Sequence, residues 1–495
     1  MLTNKLHYVN LSIKGTFQPS GDRATTPQDV DAIFEHLAKG NTSHLVLHFH
    51  GGLVDEKTGF QSAGELMEYF NGLSGVHPVF FVWESGWLET ARRNLESISQ
   101  ETFFKKLAEA VLNFVVSKLT QSEDGRGTRL ELQPRSEIRD EMTQVRPFAG
   151  YDDPARRQTL VDITEKEDEQ FRDYLADDDD FAEAVRAIAK STTEDGRGIA
   201  ADGGEPAPTL MSGEVLKKIK REIEEGRGLI SSSVLIKMAA GVFFRVVKRR
   251  LKHTDHGVYC TTVEEILREF YLDNVGAWLW RGMKSAIQSS FESNDNLSGA
   301  ALHGGTYFLA GLRDYLADAS HPPLRVSLVG HSAGGIYICR AVAKAAELMP
   351  AAFKFYRVVM LAPGCDFDLF KTGIAEKKDR VESFRMFTMR DTAEAKDEMV
   401  PVVYPRSLLY FVSGVLEKEE PVPIVGLERC YSGRPPYDDS TALAVRGYVT
   451  QPGERRVVWG PVEENAPPGL LTAALGHGQF NEILTWKSVI HFLTH

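Results

Sequence analysis

Cysteine is scarce in this chain and never clustered. Its four residues, Cys260, Cys339, Cys365 and Cys430, include no Cys-x-x-Cys pair. That spacing excludes a zinc ribbon and a disulfide framework, and it points to reduced thiols in a reducing compartment. Long apolar runs are missing too: no stretch reaches the roughly 18 uninterrupted residues that span a bilayer. The first residues, Met1-Leu2-Thr3-Asn4-Lys5-Leu6-His7, carry no apolar signal core, so a cytoplasmic location is expected. Nor is there a basic excess. Lysine and arginine number 57 against 69 aspartates and glutamates, a net charge of −12, which argues against a nucleic-acid partner.

What is present suits a globular α/β protein. A length of 495 residues with 42% apolar content allows two or three domains and a substantial core. The first hundred residues alternate two periodicities. Strand-like runs at 6–13, 44–50 and 78–83 are separated by helical spacing over 29–39 and 60–73. The alternation returns after Gly304, with a helix over 307–316 and strands at 324–329, 356–362, 384–389 and 456–459. A final helix is expected over 482–493. Strands separated by single helices imply βαβ units, hence a mostly parallel central sheet flanked by helices.

The middle of the chain breaks this rhythm. Residues 122–227 are charged and turn-rich, with Asp177-Asp178-Asp179-Asp180 and the loop Gly203-Gly204-Glu205-Pro206-Ala207-Pro208. They read as an acidic, partly disordered insertion. Helices are expected over 229–252, 263–270 and 275–291. The first ends in Lys248-Arg249-Arg250-Leu251-Lys252, which suits the negative end of a helix dipole. A second reading makes 229–252 an amphipathic lid or a peripheral membrane contact. The expected division is therefore 1–109 and 301–495 for the sheet domain, with 110–300 as a charged helical insertion.

The chemistry concentrates at Gly330-His331-Ser332-Ala333-Gly334-Gly335. A strand precedes it and a helix follows, so Ser332 falls on a sharp strand-to-helix turn that projects its hydroxyl out of the sheet. A serine hydroxyl needs a general base, and the base needs a carboxylate. On a wound sheet these belong in loops after later strands. His477, between Gly476 and Gly478 after the last strand, is the expected base. Asp391, two residues beyond the strand 384–389, is the first choice of acid, with Asp397 and Asp366 as alternatives. Two N–H donors must hold the oxyanion. Ala333 supplies one, and Gly52 or Leu53, in the loop His50-Gly51-Gly52-Leu53, supplies the other. His48 and His50 share a strand face and form a His-x-His pair that zinc or iron could use. No third ligand of the usual type lies nearby, and Gly51-Gly52 accounts for the segment without one, so no metal is expected.

With Ser332, Asp391 and His477 in that order, the sequence resembles the α/β-hydrolase superfamily over roughly 1–105 and 300–495. His50-Gly51-Gly52, Trp83-Glu84-Ser85-Gly86, Gly330 to Gly334 and Met386 to Ala393 together resemble a bacterial lipase/esterase-like group, which has His-Gly-Phe where this chain has His-Gly-Gly. The resemblance implies a cofactor-free serine hydrolase that cleaves a small or lipid carboxylic ester through an acyl-enzyme, with the insertion as a cap over the acyl pocket. Amide or peptide hydrolysis, acyl transfer to another acceptor, and a non-catalytic binding role on a hydrolase fold remain alternatives.

Overall fold

The structure is a computed structural model. It describes residues 2–17, 23–52, 55–83, 87–121, 129–152, 160–193, 209–224, 233–417, 421–462 and 465–495. Seven strands form one sheet: β1 (Tyr8–Leu11), β2 (His44–Phe49), β3 (Val76–Trp83), β4 (Arg325–His331), β5 (Phe355–Leu361), β6 (Val381–Met389) and β7 (Val457–Gly460). Their order is β1-β3-β2-β4-β5-β6-β7, and every pairing is parallel. An all-parallel sheet must be covered on both faces, and β2, buried at all six positions, shows that it is.

Strand alternation assigns the two faces. His48 packs with Phe80 and with Trp486 of helix Ile483–Thr494, and Trp486 also meets Phe70 of helix Glu56–Phe70. The next residue, Phe49, points to the other face, where it packs at a tilt on Phe81 and stacks on Tyr337 of helix Gly334–Leu348. Phe308 of helix Gly304–Ala317 and Phe34 of helix Pro27–Lys39 complete that layer. Caps set helix starts that periodicity leaves open. Thr26 and Asp29 form a capping box that begins a helix at Pro27 rather than 29, and Asp55 accepts from Thr58 N–H and begins one at Glu56 rather than 60.

The chain divides into two compact units. The first comprises 1–89, 278–397 and 422–495 and holds the sheet; the second comprises 90–277 and 398–421. The boundaries fall at 90 and 277 rather than 110 and 300, and the second unit takes 398–421 from the C-terminal half. Tertiary packing decides this: helix Thr102–Thr120 has Phe114 against Phe171 and Phe243 of the second unit. Met283, near the other expected boundary, packs in the first unit. Within the acidic stretch 122–227, residues 122–128, 153–159, 194–208 and 225–227 lie outside the described residues, the loop 203–208 among them; the described remainder carries helices Arg135–Met142, Glu165–Ala176, Asp179–Thr193 and Gly213–Glu224.

Helix Ser233–Leu251 is a core element of the second unit. Its Arg249 binds Glu264 and Glu265 at 2.6 and 3.0 Å, and Arg250, with no exposed surface, lies 3.2 Å from Asp255. Two of the terminal basic residues are thus engaged in buried ion pairs. All four cysteines are free and buried. Among the described residues, no helix is long and apolar enough to cross a membrane.

Candidate active site

Parallel pairing brings the C-terminal ends of β2, β4, β5, β6 and β7 to one edge. Phe49 pairs with Gly330, His331 with Leu361, and Met389 with Gly460. The loops leaving that edge carry Gly51-Gly52, Ser332, Asp366, Asp391 to Asp397, and His477, all in the first unit.

Ser332 sits at φ +53°, a left-handed conformation that costs a non-glycine residue roughly 1–3 kcal/mol and persists only when neighbours enforce it. They do so through its backbone. Ser332 N–H donates to Leu361 at 2.8 Å, and its carbonyl accepts from Gly364 and Gly335, each at 3.0 Å. The flanking glycines let the strand, the turn and the following helix approach one another. A Cβ on Gly330 would stand 2.6 Å from the Gly334 carbonyl oxygen, and one on Gly334 would collide with the Phe49 carbonyl.

His477 lies in a short 3-10 turn, His477–Gln479. Its Nε2 is 2.9 Å from Ser332 Oγ. Both residues are buried, at 4% and 2% exposure, so this hydrogen bond is shielded from bulk water. The His477 backbone is held at both ends. Its N–H donates to Asp397 Oδ2 at 2.8 Å, and its carbonyl accepts from His331 Nε2 at 3.0 Å. Burial lowers the His331 pKa to about 4, so its ring is neutral at pH 7 and has one N–H to give, which the His477 carbonyl takes.

The three candidate acids occupy different positions. Asp397 reaches the histidine's own main chain, and its Oδ1 would be 3.0 Å from a Cβ on Gly476. Asp391 opens the short helix Asp391–Glu394, and its N–H donates to Glu428 at 2.8 Å. Asp366 caps helix Phe367–Gly373 by accepting from Leu369 N–H at 2.8 Å. Glu394, on the same turn as Asp391, is a fully buried carboxyl that the sequence pattern did not single out.

The early glycine loop closes against Ser332 and Ala333. A Cβ on Gly51 would lie 3.5 Å from Ser332 Cβ, and one on Gly52 would lie 2.7 Å from Ala333 Cβ and collide with Met283 Sδ. Gly52 and Ala333 are therefore adjacent, as two donors to one oxyanion must be. Leu53 lies outside the described residues, as do Glu84, Ser85 and Gly86. His50 anchors this loop. Its Nδ1 donates to the Gly51 carbonyl at 2.6 Å, while Nε2 accepts from Trp83 N–H at 3.1 Å. Burial lowers its pKa to about 4, and its ring stacks on Trp83 at 3.8 Å. His48 is buried between Phe80 and Trp486, and its pKa falls to about 3. The His-x-His pair is thus spent on packing and loop support. Among the described residues no group of three or more candidate ligands could hold a metal.

The clamping role of His331 and the contact of Met283 with Gly52 were not anticipated. His331 occupies the variable position of Gly-x-Ser-x-Gly, where only its polarity could have marked it, and Met283 is too distant in sequence for any local pattern. Comparison of the chain with protein-family models, curated proteins and solved structures gave no match.

Proposed function

We propose that this protein is a serine hydrolase of the α/β-hydrolase type that cleaves a carboxylic ester through a covalent acyl-enzyme. One observation carries the reading: a serine held at φ +53° between a parallel strand and a helix, its Oγ 2.9 Å from His477 Nε2. This geometry supports the reading, because a nucleophile elbow holds its serine on such a turn within reach of its base.

Ser332 Oγ attacks the ester carbonyl carbon as its proton passes to His477 Nε2, and the carbonyl electron pair moves onto oxygen. The N–H groups of Ala333 and Gly52 are the proposed donors to that oxyanion, a role supported by the closeness of the two residues. Collapse expels the alcohol, which leaves with the proton from His477. Water then attacks the acyl-enzyme, giving its proton to His477, and the carboxylic acid departs as Ser332 recovers its hydrogen. The imidazolium formed twice per cycle needs a carboxylate. Asp397 is our first choice for this role ahead of Asp391, on the proximity given by its bond from the His477 main-chain N–H; the contact is with the backbone and not with the ring. The chemistry requires no cofactor.

An acyl-enzyme is directly observable. Mixing the protein with p-nitrophenyl butyrate and quenching early should give a burst of up to one p-nitrophenol per chain and a butyryl mass increment on the peptide containing Ser332. Ester turnover with neither burst nor adduct would sink the covalent mechanism.

A further inference from the structure

A cleft of about 510 Å³ opens in the first unit beside helices Ala277–Ser289, Gly334–Leu348 and Phe367–Gly373. Ser332, Ala333, Gly52 and His477 are not among its lining residues, but each wall is close in sequence to a residue of the elbow or of the loop beside it. Lys284 follows Met283, which packs on Gly52. Ile336 is one helical turn beyond Ser332. Asp366 comes two residues after Gly364, which donates to the Ser332 carbonyl.

The charges in the cleft are unevenly committed. Arg281, Lys284 and Arg340 line it together with Glu292, Asp366 and Asp368. Asp366 is occupied in capping Leu369, with its other oxygen 3.9 Å from Lys284. Glu292 accepts from Ser289 and faces His303 Nε2 at 3.8 Å. The two arginines are less engaged. Among the described residues Arg340 donates a single long 3.3 Å bond to Gln288 from Nη2, and its guanidinium lines the cleft. Arg281 makes no ion pair among the described residues. Guanidinium groups with unspent donors match the planar or tetrahedral oxygens of a carboxylate or phosphate.

We propose that this cleft is the substrate's anion subsite: the ester cleaved at Ser332 carries a carboxylate or phosphate that Arg281 and Arg340 bind. The proposal rests on the reading of Ser332 as nucleophile and adds the substrate's charge. An anionic group there orients the ester by charge-assisted hydrogen bonds while the scissile carbonyl sits over the elbow.

Three p-nitrophenyl or aryl esters test it: neutral p-nitrophenyl butyrate, the acyl-side anion mono-p-nitrophenyl glutarate, and the leaving-group anion 4-butyryloxybenzoate. The quantity read is the ratio of kcat/KM for each anionic ester to that for the neutral one, which cancels any difference in folded fraction. In the double variant Arg281→Gln/Arg340→Gln that ratio should fall about tenfold or more for at least one anionic ester, and which ester responds locates the anion on the acyl or alcohol side. Unchanged ratios for both would overturn the subsite. Should the protein hydrolyse none of the esters, the reading of Ser332 has failed instead. Calorimetric titration with inorganic phosphate then decides the cleft separately: binding lost in the double variant upholds it, and no binding to the unaltered protein overturns it.

Discussion

Ser332→Ala should lower kcat for p-nitrophenyl butyrate by about 10⁶-fold, and His477→Ala by a similar factor, with little further loss when the two are combined. The near-absence of additivity is the informative part. On the proposed reading, nucleophile and base act as a unit through the single 2.9 Å contact, so removing either removes the same step. The carboxylate should behave differently. If Asp397 is the counter-ion, as proposed, Asp397→Asn is expected to cost about 10⁴-fold, because an amide does not stabilise the imidazolium. Asp391→Asn, in a residue whose backbone is tied to Glu428, should stay within about threefold, a difference too small to signal loss of the counter-ion. The reverse pattern would transfer the acid role to Asp391. Circular dichroism of each variant separates lost chemistry from lost folding.

A second large effect concerns acid. Burial holds His44, His50, His77 and His331 at pKa values of about 4 and His48 at about 3, and it lowers His7 as well. In the unfolded chain these rings titrate near 6.5. Between those values the unfolded state binds protons that the native state refuses. Their stabilising contribution is therefore complete above pH 6.5 and is lost as the pH falls toward 4. Each histidine steepens the fall by up to about 1.4 kcal/mol per pH unit. The urea midpoint of the first unit should accordingly drop sharply between pH 6.5 and 5, before most carboxylates titrate. A midpoint constant across that interval would contradict the neutral, buried state assigned to these rings.

These histidines also show where sequence pattern stops. β2 and β4 were legible because their apolar runs end in Gly51-Gly52 and in Gly-x-Ser-x-Gly, and both are buried strands in the sheet. Ser332 and His477 followed from the same logic of loops after strands, and the structure places them in hydrogen-bond contact. The acid was harder. Asp391 is nearer the end of β6, where residues 391–394 coil into a short helix, and Asp397 beyond that turn accepts from the His477 main-chain N–H. No periodic pattern encodes the path of such a loop. The basic end of helix Ser233–Leu251 was ambiguous for a related reason: the partners of Arg249 are Glu264 and Glu265, which lie on a different helix. Burial can be guessed from composition, but the identity of a salt-bridge partner on another element cannot.

The most direct test of the account is reaction with a fluorophosphonate probe, followed by mass-spectrometric mapping of the modified peptide, with Ser332→Ala alongside. The account predicts one phosphonyl adduct on Ser332 and none on the variant, since only a serine activated by its histidine displaces fluoride at neutral pH. A folded protein that takes no label, or one labelled equally in the variant, would contradict the assignment of Ser332 as an activated nucleophile.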